Sequence, residues 1–143
     1  MDLDHFVESE FGIWFKKMNP KVLLAIDKFR DIRGKPVHIS PHPHALGRHL
    51  GLKNTSQHNI DFWKKVNAID FFPEGIESKG DRAQAFEDAK EAGFSGIGIY
   101  TDTTYKKNCN IMMHGDVRAD RTTQDPAKWS RVKGKYLSIE RVF

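Results

Sequence analysis

The apolar residues of this chain recur at two different spacings, and the order of these spacings is the feature that most restricts its fold. Near the beginning, large apolar residues repeat every three to four positions over residues 4–17 and again over residues 22–32, which predicts two amphipathic helices. Asn19-Pro20 separates the two stretches, and Gly34 ends the second. We therefore expect helices at the start of the chain.

Shorter apolar runs, bounded by glycine, proline and polar residues, follow these helices and are typical of strands. One further helix is expected over residues 79–92, with Gly93 closing it. Helices first and clustered strands later predict an α+β fold, in which N-terminal helices pack on a small, mainly antiparallel sheet. The length suits one domain over residues 1–143. The predicted strands are residues 36–40, 66–72, 96–100, 111–118 and 136–143.

Cysteine content limits the chemistry that the chain can perform. The only cysteine, Cys109, excludes an internal disulfide and a zinc site built from several cysteines. The ligands of a bound metal would then be His, Asp or Glu. We expect Cys109 to be a small buried residue rather than a nucleophile.

Charge and hydropathy indicate where the chain is made and what it meets. No apolar run approaches the ~18 residues that span a bilayer, and residues 1–5 lack the basic start of a signal peptide. We expect synthesis in the cytoplasm without a signal peptide, and no membrane partner. The net charge of +4 suits an anionic surface, but the basic residues are scattered rather than clustered. This scatter argues against a nucleic-acid partner.

The stretch from residue 41 to residue 59 has no regular pattern and holds four of the seven histidines. A loop of this length in a small domain is usually functional or mobile. His42 and His44, two positions apart, could bind a metal, although a solvated proline-rich loop explains them as well. The other two histidines of the loop are His49 and His58.

Three residues stand out as possible metal ligands: His58, Asp70 and His114. Asp70 lies in the apolar run 66–72, where a carboxylate is costly to bury unless something pairs with it. His114 is flanked by apolar residues on a predicted strand. Two imidazoles and one carboxylate would suit a catalytic zinc, which keeps a fourth position open. Their spacing matches no generic zinc motif, so a solvent-facing aspartate and a core histidine remain alternatives.

Four segments, taken together and in order, resemble one known family. They are Ser56-Gln57-His58, Ala68-Ile69-Asp70, Gly96-Ile97-Gly98-Ile99-Tyr100 and Met112-Met113-His114-Gly115-Asp116-Val117-Arg118. This set, within residues 20–130, is similar to the LAS metallopeptidases, the zinc D-Ala-D-Ala carboxypeptidases and L-Ala-D-Glu peptidases that cleave peptidoglycan. The resemblance implies one Zn²⁺ per chain, held by His58, Asp70 and His114.

The sequence departs from the family pattern in three places. Residues 59–65 look like an insertion between the first two ligands, and no carboxylate or histidine directly precedes His114 to act as general base. Asp116 is the nearest carboxylate, either as a catalytic base or, slightly preferred, as a partner that orients a ligand imidazole. The family's substrate-binding arginine before the first histidine is absent. Arg48 is the closest substitute for binding a substrate carboxylate, and a solvated loop arginine is the alternative.

The resemblance implies a zinc metallopeptidase that cuts peptide stems or cross-links of bacterial peptidoglycan, as a carboxypeptidase or an endopeptidase. The lack of an evident signal peptide would fit a bacteriophage endolysin or virion lysin, which reaches the cell wall through a holin or with the phage particle. We expect a monomer. The alternative is a catalytically inactive cell-wall-binding or virion structural module with the same fold, which the missing base and arginine would explain.

Overall fold

Six strands and three α-helices make up the computed structural model of residues 1–143. The strands are β1 (Val37–Ile39), β2 (Ala68–Pro73), β3 (Gly96–Tyr100), β4 (Met112–Asp116), β5 (Ala127–Val132) and β6 (Lys135–Leu137), and the helices are α1 (Pro20–Arg33), α2 (Ile60–Trp63) and α3 (Lys79–Ala92). The strands form one sheet in the order β1-β2-β4-β3-β5-β6, antiparallel except for the parallel pair β3 and β5. The expected α+β fold with a mainly antiparallel sheet is therefore confirmed.

The two long helices begin and end where the sequence predicts. The Asn19 side chain accepts a hydrogen bond from the backbone of Lys21 at the start of α1, and Gly34 ends the helix with φ at 65°. Ser78 and Asp81 cap the start of α3 reciprocally, and Gly93 ends it with φ at 116°. These caps satisfy backbone groups that a helix end leaves unpaired.

The sheet has one face that carries the hydrophobic core and one that carries polar side chains. Alternation along the strands points Ile69, Phe71, Ile97, Ile99 and Met113 toward α1 and α3, and all five are fully buried. The Phe29 ring of α1 packs edge-on against Phe71, with 5.2 Å between ring centroids. The alternate residues of the same strands therefore lie on the face that these two helices leave free.

One row of paired residues crosses this free face. Asp70 of β2 pairs with His114 of β4, His114 pairs with Gly98 of β3, and Gly98 pairs with Trp129 of β5. The row places a carboxylate, an imidazole and an indole side by side on four adjacent strands.

None of the helices combines the length and the apolar composition that crossing a membrane requires.

Two sequence-based expectations about elements are wrong, and one strand is not predicted at all. Residues 4–17 do not form an α-helix but two short 3₁₀ helices, Glu8–Glu10 and Gly12–Lys17, and Gly12 has a left-handed φ of 58° that interrupts a helix. The last predicted strand is shorter, since a 3₁₀ helix follows β6 and buries Ile139 and Val142. Strand β5 was not predicted, because its alternating pattern contains polar and charged residues that mask its apolar side.

Candidate metal centre

The three residues singled out as metal ligands come together in the structure. His114 and Asp70 are paired neighbours on β4 and β2, and His58 reaches them from the end of the loop 41–59. The distances are 3.2 Å from His58 Nε2 to His114 Nδ1, 3.2 Å from His114 Nδ1 to Asp70 Oδ1, and 3.4 Å from His58 Nε2 to Asp70 Oδ1. All three residues are buried.

The outer nitrogen of each imidazole fixes which nitrogen faces the centre. His58 Nδ1 donates to the backbone oxygen of Leu46 at 2.7 Å, because a carbonyl can only accept. His114 Nε2 donates to the carboxylate of Asp116, also at 2.7 Å. His58 Nε2 and His114 Nδ1 therefore converge with one oxygen of Asp70, and either a proton on His114 Nδ1 or a metal ion has to lie between these three atoms.

The size of this triangle fits a tetrahedral metal ion. Bonds of about 2.0–2.1 Å from zinc to nitrogen and oxygen place two ligands of one tetrahedron roughly 3.3–3.4 Å apart. The measured separations of 3.2–3.4 Å match that spacing before any side chain moves. The group of His58, Asp70 and His114 could thus hold a metal ion with a fourth position open.

The titration of the three groups shows how strongly the centre attracts positive charge. Burial opposes ionisation of Asp70, but its hydrogen bonds with His114 and His58 outweigh burial and hold the pKa of Asp70 far below its usual range. Burial lowers the pKa of His58, although Asp70 counteracts it. Burial also opposes protonation of His114, yet hydrogen bonds with Asp116 and Asp70 raise the pKa of His114 to about 9. In the absence of a metal, a proton on His114 thus balances the carboxylates.

Asp116 lies behind His114 rather than in the open part of the site. Its side chain is fully buried, and Arg118 binds both of its oxygens through Nε at 2.9 Å and Nη2 at 2.6 Å. Burial disfavours the carboxylate, but the hydrogen bonds from Arg118 and His114 overcome burial and lower the pKa of Asp116. Of the two roles predicted for Asp116, this geometry favours the one that orients His114.

Two glycines of β3 make room for this arrangement. A Cβ atom at Gly96 would collide with the carboxylate of Asp116, and a Cβ atom at Gly98 would collide with the indole of Trp129. The Trp129 ring in turn packs against the His114 ring, with 5.0 Å between centroids. The Gly-x-Gly spacing of the sequence therefore allows close side-chain packing beside the candidate metal ligands.

A cavity of about 540 Å³ opens on the three candidate ligands, and each arginine on its wall is paired with a carboxylate: Arg48 with Asp70, Arg118 with Asp116 and Arg131 with Asp102. Asp70 is its only acidic lining residue, while three arginines line it: Arg48, Arg118 and Arg131. The predicted substrate-binding residue Arg48 therefore lies at the site. Its Nη2 is 3.3 Å from Asp70 Oδ2, and its Nε donates to the backbone oxygen of His44 at 2.7 Å.

The other three histidines of the loop, His42, His44 and His49, do not belong to this group. His49 pairs with Asp61 at 2.7 Å in an exposed position, and His44 is exposed. His42 lines an adjoining cavity of about 520 Å³, which also reaches Asp70. Neither His42 nor His44 belongs to a group of three or more side chains that could hold a metal ion. Cys109 is fully buried, as expected.

Sequence reasoning missed the aromatic side of the cavity. Trp129 Nε1 donates to the hydroxyl of Tyr100 at 2.8 Å, which leaves the phenol proton free for another acceptor. Burial raises the pKa of Tyr100 above its usual range, so the phenol stays a donor. The signal that could have located this side was Gly98, because a glycine inside a buried strand marks the close approach of another group.

No protein-family model, curated protein or solved structure gives a significant match to this chain. The geometry of the site and the order of its four motifs in the sequence are therefore the basis for its proposed function.

Proposed function

We propose that this protein is a zinc-dependent peptidase that cleaves the peptide stems or cross-links of bacterial peptidoglycan. The observation that carries the proposal is the triangle of His58 Nε2, Asp70 Oδ1 and His114 Nδ1, three acceptors at tetrahedral spacing beside an open cavity. Two imidazoles and one carboxylate are a donor set of catalytic zinc sites. Zinc bound there supplies Lewis-acid activation of a water molecule and of the scissile carbonyl.

The charge of the cavity supports a peptide substrate that carries carboxylates. Arg48 and Arg131 are partly exposed on the cavity wall even though they pair with Asp70 and Asp102, and guanidinium groups bind carboxylates in a fork geometry. Peptidoglycan stems contain D-glutamate and free terminal carboxylates. We assign Arg48 to substrate binding, with Asp70 holding its guanidinium at the rim of the site.

Tyr100 is placed to stabilise charge on the reacting carbonyl. Tyr100 lines the same cavity as the three candidate ligands, and its hydroxyl receives a hydrogen bond from Trp129 and keeps its own proton for donation. A fixed donor in a partly water-excluded site stabilises a developing oxyanion more than it stabilises the neutral carbonyl. The remaining neighbours, Asp116 and Arg118, act through His114 by fixing its ring and its protonation.

The second candidate is an inactive cell-wall-binding or virion structural module, and one observation favours it. The cavity contains no carboxylate other than Asp70, and both oxygens of Asp116 are engaged away from it. A general base for proton transfer is thus missing among the lining carboxylates. Such a module would keep the zinc and bind peptidoglycan without turnover.

The proposed partner is peptidoglycan alone, with no nucleic acid and no membrane, and the proposed state is a monomer. Action at the cell wall or within a phage particle follows from this substrate.

Incubation with purified peptidoglycan and mass spectrometry of the released muropeptides test the proposal. We expect zinc-dependent release of D-Ala, or of new amino termini on D-Glu or diaminopimelate, and loss of this release with EDTA and in His114→Ala. His49→Ala is the matched control, since that histidine pairs with Asp61 outside the site. Binding without any new termini would support the inactive module, and release of reducing sugar would show a glycosidase.

A further inference from the structure

A second group of metal-ligating side chains lies on the same face of the sheet, toward the end of β2. His38 belongs to β1 and pairs with Phe72, whereas Glu74 directly follows β2 and Cys109 precedes β4. Asp70 and Glu74 are four residues apart along an extended chain, which is about 13 Å. The Tyr105 ring packs on Phe72, with 5.1 Å between ring centroids, and Phe72 lies between Asp70 and Glu74 along the chain. The group is therefore separate from the first centre.

Three different donor types meet in this group. The imidazole of His38, the carboxylate of Glu74 and the thiol of Cys109 each have a donor atom within 4.8 Å of the other two. His38 Nε2 and Glu74 Oε2 are 2.6 Å apart and about a quarter to a third exposed, so an ion can enter from their side. The thiol is fully buried and forms no hydrogen bond of its own.

Backbone hydrogen bonds hold the three segments in place independently of their side chains. The amide of Glu74 donates to Pro36 O at 3.0 Å, and the amide of Gly75 donates to Asn108 O, also at 3.0 Å. Asn108 adopts a left-handed φ of 69°, which turns the loop so that Cys109 faces inward. The donors are thus carried on a fixed frame rather than on loose loops.

We propose that His38, Glu74 and Cys109 form a second binding site for a divalent transition-metal ion, with zinc as the ion that fits best. Thiolate, imidazole and carboxylate are all ligands of tetrahedral zinc, and a single thiolate selects against magnesium and calcium. A single thiolate among other donors departs from the sequence-based expectation that only His, Asp or Glu would bind a metal in this chain. The bound ion would tie β1, the end of β2 and the loop before β4 together.

We expect the second site to bind an ion more weakly than the first, because two of its donors must move apart before the ion can enter. His38 and Glu74 are closer than the roughly 3.3 Å that separates two ligands of one ion, so they must move apart. Burial and the nearby Glu74 carboxylate raise the pKa of Cys109, so the ion must displace a proton from the thiol. One zinc would then remain through purification, and the second would bind on titration at higher pH.

Titration of the metal-free protein with Co²⁺ tests this site without any activity measurement. The chain has one cysteine, so a thiolate-to-cobalt charge-transfer band in the near ultraviolet can arise only at Cys109. We expect this band to appear with the second equivalent of Co²⁺, to persist in His58→Ala, and to vanish in Cys109→Ser. His38→Asn and Glu74→Gln should weaken or abolish it while the first equivalent still binds.

The controls separate this inference from the peptidase proposal. Circular dichroism shows whether each variant folds, and if Cys109→Ser does not, His38→Asn and Glu74→Gln decide the question. Absence of a thiolate band with excess Co²⁺, or a band of unchanged affinity in both of those variants, would overturn the second site. Neither result affects the first centre, whose ligands are two histidines and an aspartate.

Discussion

His114 bridges two carboxylates: its Nδ1 lies 3.2 Å from Asp70 and its Nε2 lies 2.7 Å from Asp116. Asp70 lies on the side of the metal position, and Asp116 lies on the far side of the ring. A carboxylate on the outer nitrogen fixes the tautomer and makes the inner nitrogen a stronger ligand. The strength of metal binding should therefore depend on Asp116 although this residue is not a ligand.

Asp116→Asn tests that dependence. The amide oxygen can still accept from His114 but has no charge, so we expect zinc affinity to fall by about 10–100-fold. Activity should recover when excess zinc is added, as measured by peptide release at several zinc concentrations. A rate loss of about 10²–10⁴-fold at full zinc occupancy would instead identify Asp116 as the general base.

Gly96→Ala probes the same carboxylate from the neighbouring strand. The added methyl group collides with Asp116, so we expect a loss of about 1–3 kcal/mol in unfolding free energy and weaker zinc binding. Urea unfolding and zinc titration measure the two effects. Gly80→Ala is the matched control, because Gly80 is exposed in α3 and its new Cβ meets only Ser78 Oγ at 3.7 Å. Equal stability of the two variants would show that the sheet relaxes around position 96.

The sequence predicts the elements of the site better than it predicts their pairing. Patterns placed Asp70 and His114 on strands and His58 in a loop, and Gly93 marked the end of α3. The pairing of Asp70 with His114 could not be read, because a shift of one residue in register would turn one side chain to the opposite face. Only the resemblance joined the three residues before the structure did.

Tertiary packing explains what the sequence did not reveal. Strand β5 pairs in parallel with β3, and its buried Ser130 donates to Ser138 O, so a polar residue occupies a core position. The apolar periodicity of residues 127–132 therefore does not predict a strand, and without that strand Trp129 is not recognised as part of the site. Residues 4–17 show helical apolar spacing because Phe6 and Phe11 are both buried in the core. Gly12, with its left-handed φ, interrupts the helix that this spacing predicts.

Tyr100→Phe tests whether the Tyr100 hydroxyl is the oxyanion donor of the proposed peptidase. The variant keeps the ring but loses both the phenol proton and the acceptor of the Trp129 indole, so zinc content should be unchanged while the free energy of unfolding falls by about 1 kcal/mol. We expect kcat to fall by about 10²–10³-fold with a smaller change in KM, the usual effect of removing one oxyanion donor. Muropeptide release under saturating substrate measures kcat. An unchanged kcat would show that Tyr100 only positions Trp129.

The pH dependence of stability should differ between the metal-free and zinc-bound protein. The pKa of His114 is raised from 6.5 to about 9 in the folded state. Its stabilising contribution to the free energy of unfolding is therefore fully present below pH 6.5 and is lost as pH rises through 9. His58 acts in the opposite sense, because its lowered pKa contributes stability above pH 6.5 that is lost on acidification. The metal-free protein should therefore lose stability between pH 6.5 and 9.

Zinc should cancel this loss, since the ion replaces the proton on His114 and binds more tightly as pH rises. At a free zinc concentration about 100 times the Kd, binding adds about 2.7 kcal/mol to the free energy of unfolding. Thermal unfolding with EDTA and with zinc, at pH 6.5, 7.5 and 9, measures both effects, and His49→Ala is the control for an exposed histidine. A metal-free protein whose stability stays constant from pH 6.5 to 9 would mean that His114 is neutral there, and the proposed proton between the two carboxylates would be wrong.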